Sequence, residues 1–219
     1  MATRSHLLKE FNGDGKVHGI VPELEFRFDK ARYEKVVKDL EYLTDKKRRP
    51  IRKAIERAAK QSADMGVTAT KRGLARATTL KASEIGKRVK RYAYGNPTKM
   101  AIGMKISDTA RPLSEFKFTP KKPTNPGNPV PVRVEIYKGQ KRTLNDGGAF
   151  VAPVKAGTKT HIGIFKREGE EHLPIHSIPG PSVTGLFRKN EELHERVWNL
   201  LWDKFDERVE YELKRLLHG

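Results

Sequence analysis

The sequence predicts an α+β chain: an antiparallel sheet packed against a long C-terminal helix, with basic N-terminal helices and a Pro-rich arm. Three observations carry that expectation. Between Asn145 and Phe187, short apolar runs alternate with turn residues. From Asn190 to Leu217, apolar residues recur at three and four, the spacing of one helical face. Between residues 46 and 91 there are 16 Lys+Arg and three acids (Glu56, Asp64 and Glu84), so +13 of the chain's +18 lies there. At 219 residues with 36% hydrophobic and 33% charged content, the core is affordable but lean.

Residues 1–22 read as a polar N-terminal arm, and 23–219 as a single α+β domain. Glu23–Asp29 alternates Leu24, Phe26 and Phe28 with Glu25 and Arg27, which predicts a half-buried strand. Asp29 can cap a helix that carries Val36, Val37, Leu40 and Leu43 on one stripe. The basic helical part spans 46–95. Pro50 suits the first turn of a helix running to about Thr70. Ile51, Ile55, Ala58, Ala59, Ser62 and Met65 form a narrow stripe of mostly small side chains, suited to close packing. Gly66 and Gly73 predict a kink or break near 66–74. A short helix over SEIGKRVKRY is expected next, capped by Thr79 or Ser83.

The sheet part spans 99–187. Lys99–Ser107 alternates as a strand does. Thr109–Thr119 reads as a loop ending in a strand over Glu115–Thr119. The loop 120–131 holds five prolines in PKKPTNPGNPVP, and proline cannot donate to a ladder, so an extended arm is expected. Val132–Lys138 is a strand, and Gly139–Arg142 a turn. Ala149–Val154, His161–Phe165 and Leu173–Ile178 then form a three-stranded meander, turned by Gly157 and Gly169. Phe150 and Phe165 are expected in its core, facing the terminal helix. That helix spans 189–217, with Asn190 as cap and Glu191, Glu192 and Glu195 in its first turns. Phe205 lies on its main stripe and Trp198 and Trp202 broaden it, all three either as core or as a subunit interface.

Several function classes find no residues. The absence of cysteine removes disulfides, thiolate zinc sites and cysteine nucleophiles. No run of 18 apolar residues occurs, so no membrane partner is expected. The opening MATRSHLLKEFNGDG holds no long apolar run of the secretory kind, and a cytosolic compartment is the expectation. No G-x-x-x-x-G-K-[ST] loop is present. His172 and His176 lie four apart, but Pro174 between them argues against a shared helical face, so no metal is expected. Glu168, Glu170 and Glu171 read as a solvated turn rather than an acid–base pair. Ser182 after Gly-Pro reads as helix capping or turn closure. The expectation is no enzyme, no catalytic residues and no cofactor. Lys47, Arg48, Arg49, Arg52, Lys53, Lys71, Arg72, Arg76, Lys87, Arg88, Lys90 and Arg91 are the candidates to face either nucleic-acid phosphates or an acidic partner. No helix-turn-helix, zinc-finger or ribonucleoprotein signature accompanies them, so sequence-specific reading is not expected.

Gly148-Ala149-Phe150-Val151, then Gly163-Ile164-Phe165 with Arg167 and Gly169, then Leu173-Pro174-Ile175, then Gly180-Pro181-Ser182-Val183 follow one another in fixed order. With the amphipathic helix behind them, they resemble the minor tail protein Z family of tailed phages and prophages. About forty residues carry the motif, and the basic helical half agrees in character. The resemblance implies a structural virion protein at the head-proximal end of the tail, completing the tail or joining it to the head. It further implies assembly with copies of itself into a ring, commonly sixfold, and contact with tail-tube and head–tail connector proteins. Packaged DNA would pass nearby. On the residues alone, a non-specific nucleic-acid-binding protein that uses its basic helices is the alternative.

Overall fold

The computed structural model describes residues 23–27, 45–96, 99–123, 130–144, 148–156, 159–167 and 174–218. The predicted arm over 1–22 and the helix after Asp29 lie outside them, as do residues 124–129 of the Pro-rich segment.

Helix α1 runs unbroken over Asp45–Ala77. The break expected near 66–74 does not occur, and the reason lies in packing. A Cβ on Gly66 would stand 2.5 Å from Leu201 Cδ2, and one on Gly73 would stand 2.2 Å from Leu193 Cδ1. The two glycines are where another helix comes closest. Ala54, Ile55, Ala58, Ala59, Ser62 and Ala63 are buried beside them, while Met65 is exposed. Of the predicted stripe, Ile55, Ala58, Ala59 and Ser62 are buried and Met65 is not, while the side chain of Ile51 lies outside what is described. Pro50 stands one turn inside the helix rather than in its first turn.

Helix α2 is shorter than expected and covers only Ala82–Arg88. Val89 leaves the helix because it pairs with Ile106 inside a sheet and is buried there. Three strands make that sheet: β1 (Glu23–Arg27), β2 (Val89–Asn96) and β3 (Lys99–Ser107), in the order β1-β3-β2, all antiparallel. The register sets Leu24 opposite Ile106 and Phe26 opposite Met104. Met104 and Ile106 are fully buried, and the Thr70 hydroxyl of α1 lies 3.4 Å from Met104 Sδ.

Strand β4 (Arg111–Pro112) and a 3-10 turn (Leu113–Glu115) lead into β5 (Lys117–Thr119). Strands β6 (Arg133–Glu135) and β7 (Lys141–Thr143) follow, giving a small sheet in the order β5-β6-β7. The predicted strand over 132–138 is thus cut to three residues. After Ile136, Tyr137 bridges to Thr78, and Gly139 at φ 82° turns the chain back.

The meander forms as the alternation predicted. Strands β8 (Phe150–Ala156), β9 (Lys159–Arg167) and β10 (Ile175–Ser177) stand in the order β10-β9-β8. Pro179-Gly180 does more than end it: these residues form β11, paired with β4 (Pro179↔Pro112, Gly180↔Arg111). Helix α3 (Val183–Arg188) follows, capped by the Ser182 hydroxyl, which accepts from the Gly185 N–H at 3.0 Å. Helix α4 (Glu191–His218) is capped by Asn190, whose Oδ1 accepts from the Leu193 N–H at 3.1 Å.

The α+β class and the long terminal helix are as read, but the extended partner of α4 is α1, not the meander. The helices run antiparallel, since Gly66 meets Leu201 while Gly73 meets Leu193. The β1-β3-β2 sheet packs on α1. Val151 and Ile164 of the meander join a buried cluster with Leu113, Phe116, Leu186, Phe187, Leu193 and Val197. Each fully buried aliphatic or aromatic side chain there adds about 1.5–3 kcal/mol.

Candidate functional site

The motif residues hold the chain together at close contacts. The ring of Phe165 folds back over Gly163, where a Cβ would stand 2.5 Å from it. Phe165 is buried and its ring centroid lies 6.2 Å from that of Phe150, its register partner. The Arg167 guanidinium lies 5.3 Å from the Phe150 ring centroid. A Cβ on Gly180 would stand 2.7 Å from Leu113 Cδ2, and here too the close approach needs glycine. Ser182 caps α3, with half-buried Pro181 before it. Ala149 packs on the core, Gly148 and Pro174 are exposed, and Ile175 pairs with Arg167. Gly169 and Leu173 lie outside the described residues.

The basic residues do not share one environment. Lys53, Arg72, Arg76 and Lys90 are exposed, and none of the four makes an ion pair among the described residues. Others meet acids of the fold: Lys87 reaches Glu84 at 2.6 Å, Arg88 reaches Asp108 at 3.3 Å and Arg91 reaches Asp64 at 3.4 Å. Lys71 is half-buried, with its chain 3.2 Å from where a Gly86 Cβ would be. Lys47, Arg48, Arg49 and Arg52 lie in the first turns of α1, and their side chains fall outside what is described. Three of the candidate cations are therefore already paired at the surface, Lys87 within α2 and Arg88 and Arg91 with carboxylates of other elements.

One cluster was not read from the sequence. Arg111 is 4% exposed and contacts Asp108 at 3.3 Å, Glu84 at 3.3 Å and also Glu115. Burial works against its charge, but the hydrogen bond to Glu115 and the charge of Asp108 outweigh it, and its pKa is raised further. Glu84 is held below the usual carboxylate range, first by its hydrogen bond to Lys87. Asp108 Oδ2 also accepts from the Val183 N–H at 3.0 Å, at the start of α3. The cluster thus ties α2, the end of β3, β4 and α3 at one point. It is a fully paired junction with no carboxylate left over for chemistry.

A second cluster joins the N-terminal half of α1 to the last turns of α4. Glu212 is 2% exposed and is met by Arg57 at 2.7 Å, Arg215 at 3.2 Å and Arg208 at 3.6 Å. The Arg208 guanidinium also lies 4.6 Å from the Tyr211 ring centroid.

Phe205 is core, buried at 5%, so its candidacy as a subunit contact gives way to packing within the chain. Trp198 and Trp202 are half-buried, edge-to-face at 6.0 Å, and Trp198 packs on the core. Among the described residues no group of three His, Cys, Asp or Glu is set to hold a metal ion. His176 is exposed on β10, while Glu168, Glu170, Glu171 and His172 lie outside the described residues. No described helix is long and apolar enough to cross a membrane.

No family model, curated protein or solved structure matches the chain. The likeness to the tail protein Z family therefore rests on the quoted residues and their order.

Proposed function

We propose that the protein is a structural virion component at the head-proximal end of a phage tail, completing the tail or joining it to the head. It acts by ring assembly and protein–protein contact and not as an enzyme, and it uses no cofactor. The observation that carries this reading is the use made of the motif. Gly163, Phe165, Gly180 and Ser182 serve close packing and capping at the passage from the meander into α3. Such residues preserve a shape, which is what a ring subunit must repeat faithfully from copy to copy. Strands β8 and β10 are the outer strands of the meander among the described residues, and outer strands suit pairing with a neighbouring subunit. The Pro-rich segment 120–131 would also contact neighbours. The sites of action are the neck of the virion and, during assembly, the host cytoplasm.

Electron microscopy of particles made without this protein tests the reading. Free heads and unjoined tails are the expected product. Normal, joined and infectious virions would refute it.

A second reading, a non-specific nucleic-acid binder, is favoured by one observation: Lys53, Arg72, Arg76 and Lys90 are exposed without acidic partners among the described residues. In a tail these side chains would line the passage of DNA. Outside one, they would be the whole function.

A further inference from the structure

We propose that Arg57, Arg208 and Arg215, gathered on the buried carboxylate of Glu212, form a binding site for the phosphates of a nucleic-acid backbone. None of these three arginines stands out in the sequence. Arg57 comes from α1 and the other two from α4, and only the antiparallel pairing of the helices brings them together.

The arrangement has more charge than the fold needs. One buried carboxylate requires one well-placed cation, and Arg57 at 2.7 Å supplies it. Two further guanidiniums on the same carboxylate leave the cluster with a net charge of +2. Three like charges this close repel one another unless a second anion shares them. Exposure shows where that anion would sit. Glu212 is 2% exposed, but Arg57, Arg208 and Arg215 are 49%, 38% and 56% exposed, so the anchor is inside and the arginine side chains are partly open to water, with Arg208 Nε buried and without a hydrogen-bond partner among the described residues. Arg208 is further fixed by the Tyr211 ring. A planar guanidinium held at one edge by a carboxylate offers its remaining N–H groups to a phosphate in a preset fork.

Three other carboxylates flanking this cluster on α4 are engaged elsewhere. Glu207 pairs with Lys204 at 2.5 Å, Glu210 with Lys214 at 2.6 Å, and Asp206 has a partner of its own. One turn before Arg57, Lys53 stands exposed and adds a fourth cation on the α1 side. Nucleic acid is favoured over an acidic peptide because it presents several phosphates at fixed spacing to cations at fixed spacing. The inference stands on this cluster and does not depend on the tail assignment.

Binding of the full-length protein to a labelled 30-base-pair duplex, followed by fluorescence anisotropy across a salt series, tests it. Wild type should lose affinity linearly in log–log form as salt rises. Arg57→Gln with Arg215→Gln should flatten the slope by about 1.8, since each phosphate contact contributes about 0.9. At 0.1 M salt that corresponds to roughly eightfold weaker binding per contact, or about 60-fold for the pair. Arg57→Lys with Arg215→Lys keeps the charge and should keep the slope. Circular dichroism checks that each variant is folded. If the double Gln variant is not, Arg215→Gln alone leaves two arginines on Glu212 and should show about half the change in slope. Three results would overturn the proposal: no duplex binding by wild type, unchanged affinity and slope in the Gln variants, or a loss that appears only with a poly-glutamate chain as ligand. Head–tail joining is a separate readout, so a variant that assembles normally but binds DNA weakly would leave the tail reading intact.

Discussion

Replacing Gly73 by Ala should destabilise the protein, against the ordinary preference of helices. In an exposed helix interior, Ala is about 1 kcal/mol better than Gly. At Gly73 the added methyl would stand 2.2 Å from Leu193 Cδ1 and 2.9 Å from its Cδ2. Leu193 is 3% exposed and belongs to the main core, so it can give way only by displacing packed neighbours. Overpacking of this kind costs about 1–3 kcal/mol. The net change is then a loss of about 1 kcal/mol, and about twice that for Gly66→Ala with Gly73→Ala, because Leu201 Cδ2 lies 2.5 Å from the Gly66 position. For a chain of this size each kcal/mol moves the melting temperature by about 2–4 °C, so the double variant should melt roughly 4–8 °C lower. Gly86→Ala is the internal control. Its Cβ would meet only the flexible end of Lys71 at 3.2 Å, and it should gain stability. Urea denaturation followed at 222 nm reads all four proteins. Gly73→Ala raising stability alongside Gly86→Ala would mean that α1 and α4 do not approach as described.

Further outcomes follow from the junctions. Asp108→Asn should lower stability by about 1.5–3 kcal/mol, since it weakens a charged contact to buried Arg111, which keeps Glu84 and Glu115, and weakens the acceptor for the Val183 N–H; chemical denaturation measures it. Gly163→Val should sharply reduce soluble yield, because even a Cβ there lies 2.5 Å from the Phe165 ring; normal yield and melting would show that the ring can swing away. Glu135 is held below the usual carboxylate range by the Gly139 N–H and then by Lys117. Its folded pKa is depressed, so its contribution is present above the unfolded carboxylate value and is lost as pH falls through the folded one. Melting temperature should therefore fall with pH below about 4.5, and Glu135→Gln should flatten that fall relative to wild type.

Periodicity and capping made much of the fold legible. The meander, the β3 strand, the Ser182 and Asn190 caps and the terminal helix each announce themselves locally, through alternation or through a polar side chain at the right offset. What was not legible depends on partners distant in sequence. Gly66 and Gly73 look like breaks until Leu201 and Leu193 are placed against them. Val89 continues a helical pattern but is claimed by its pairing with Ile106. Asp108 and Arg111 sit in what reads as a plain loop, where a charge pair carries no sign of being buried. Glu212 did leave a trace. It follows Phe205 and Val209 on the apolar seam of α4, and a carboxylate on such a seam implies a cation waiting on another element.

The antiparallel seating of α1 on α4 also sets an order of events in synthesis. The residues that meet at Gly73 and Leu193 are 120 positions apart. At about 5–20 residues per second, α1 leaves the ribosome roughly 6–24 seconds before the leucines that cover its small-residue face. Through that interval the face around Ser62, Gly66 and Gly73 has no native cover from α4. Closing such a long loop is slow compared with local helix and hairpin formation. The nascent chain is thus most open to aggregation, or to a chaperone, until its last helix arrives.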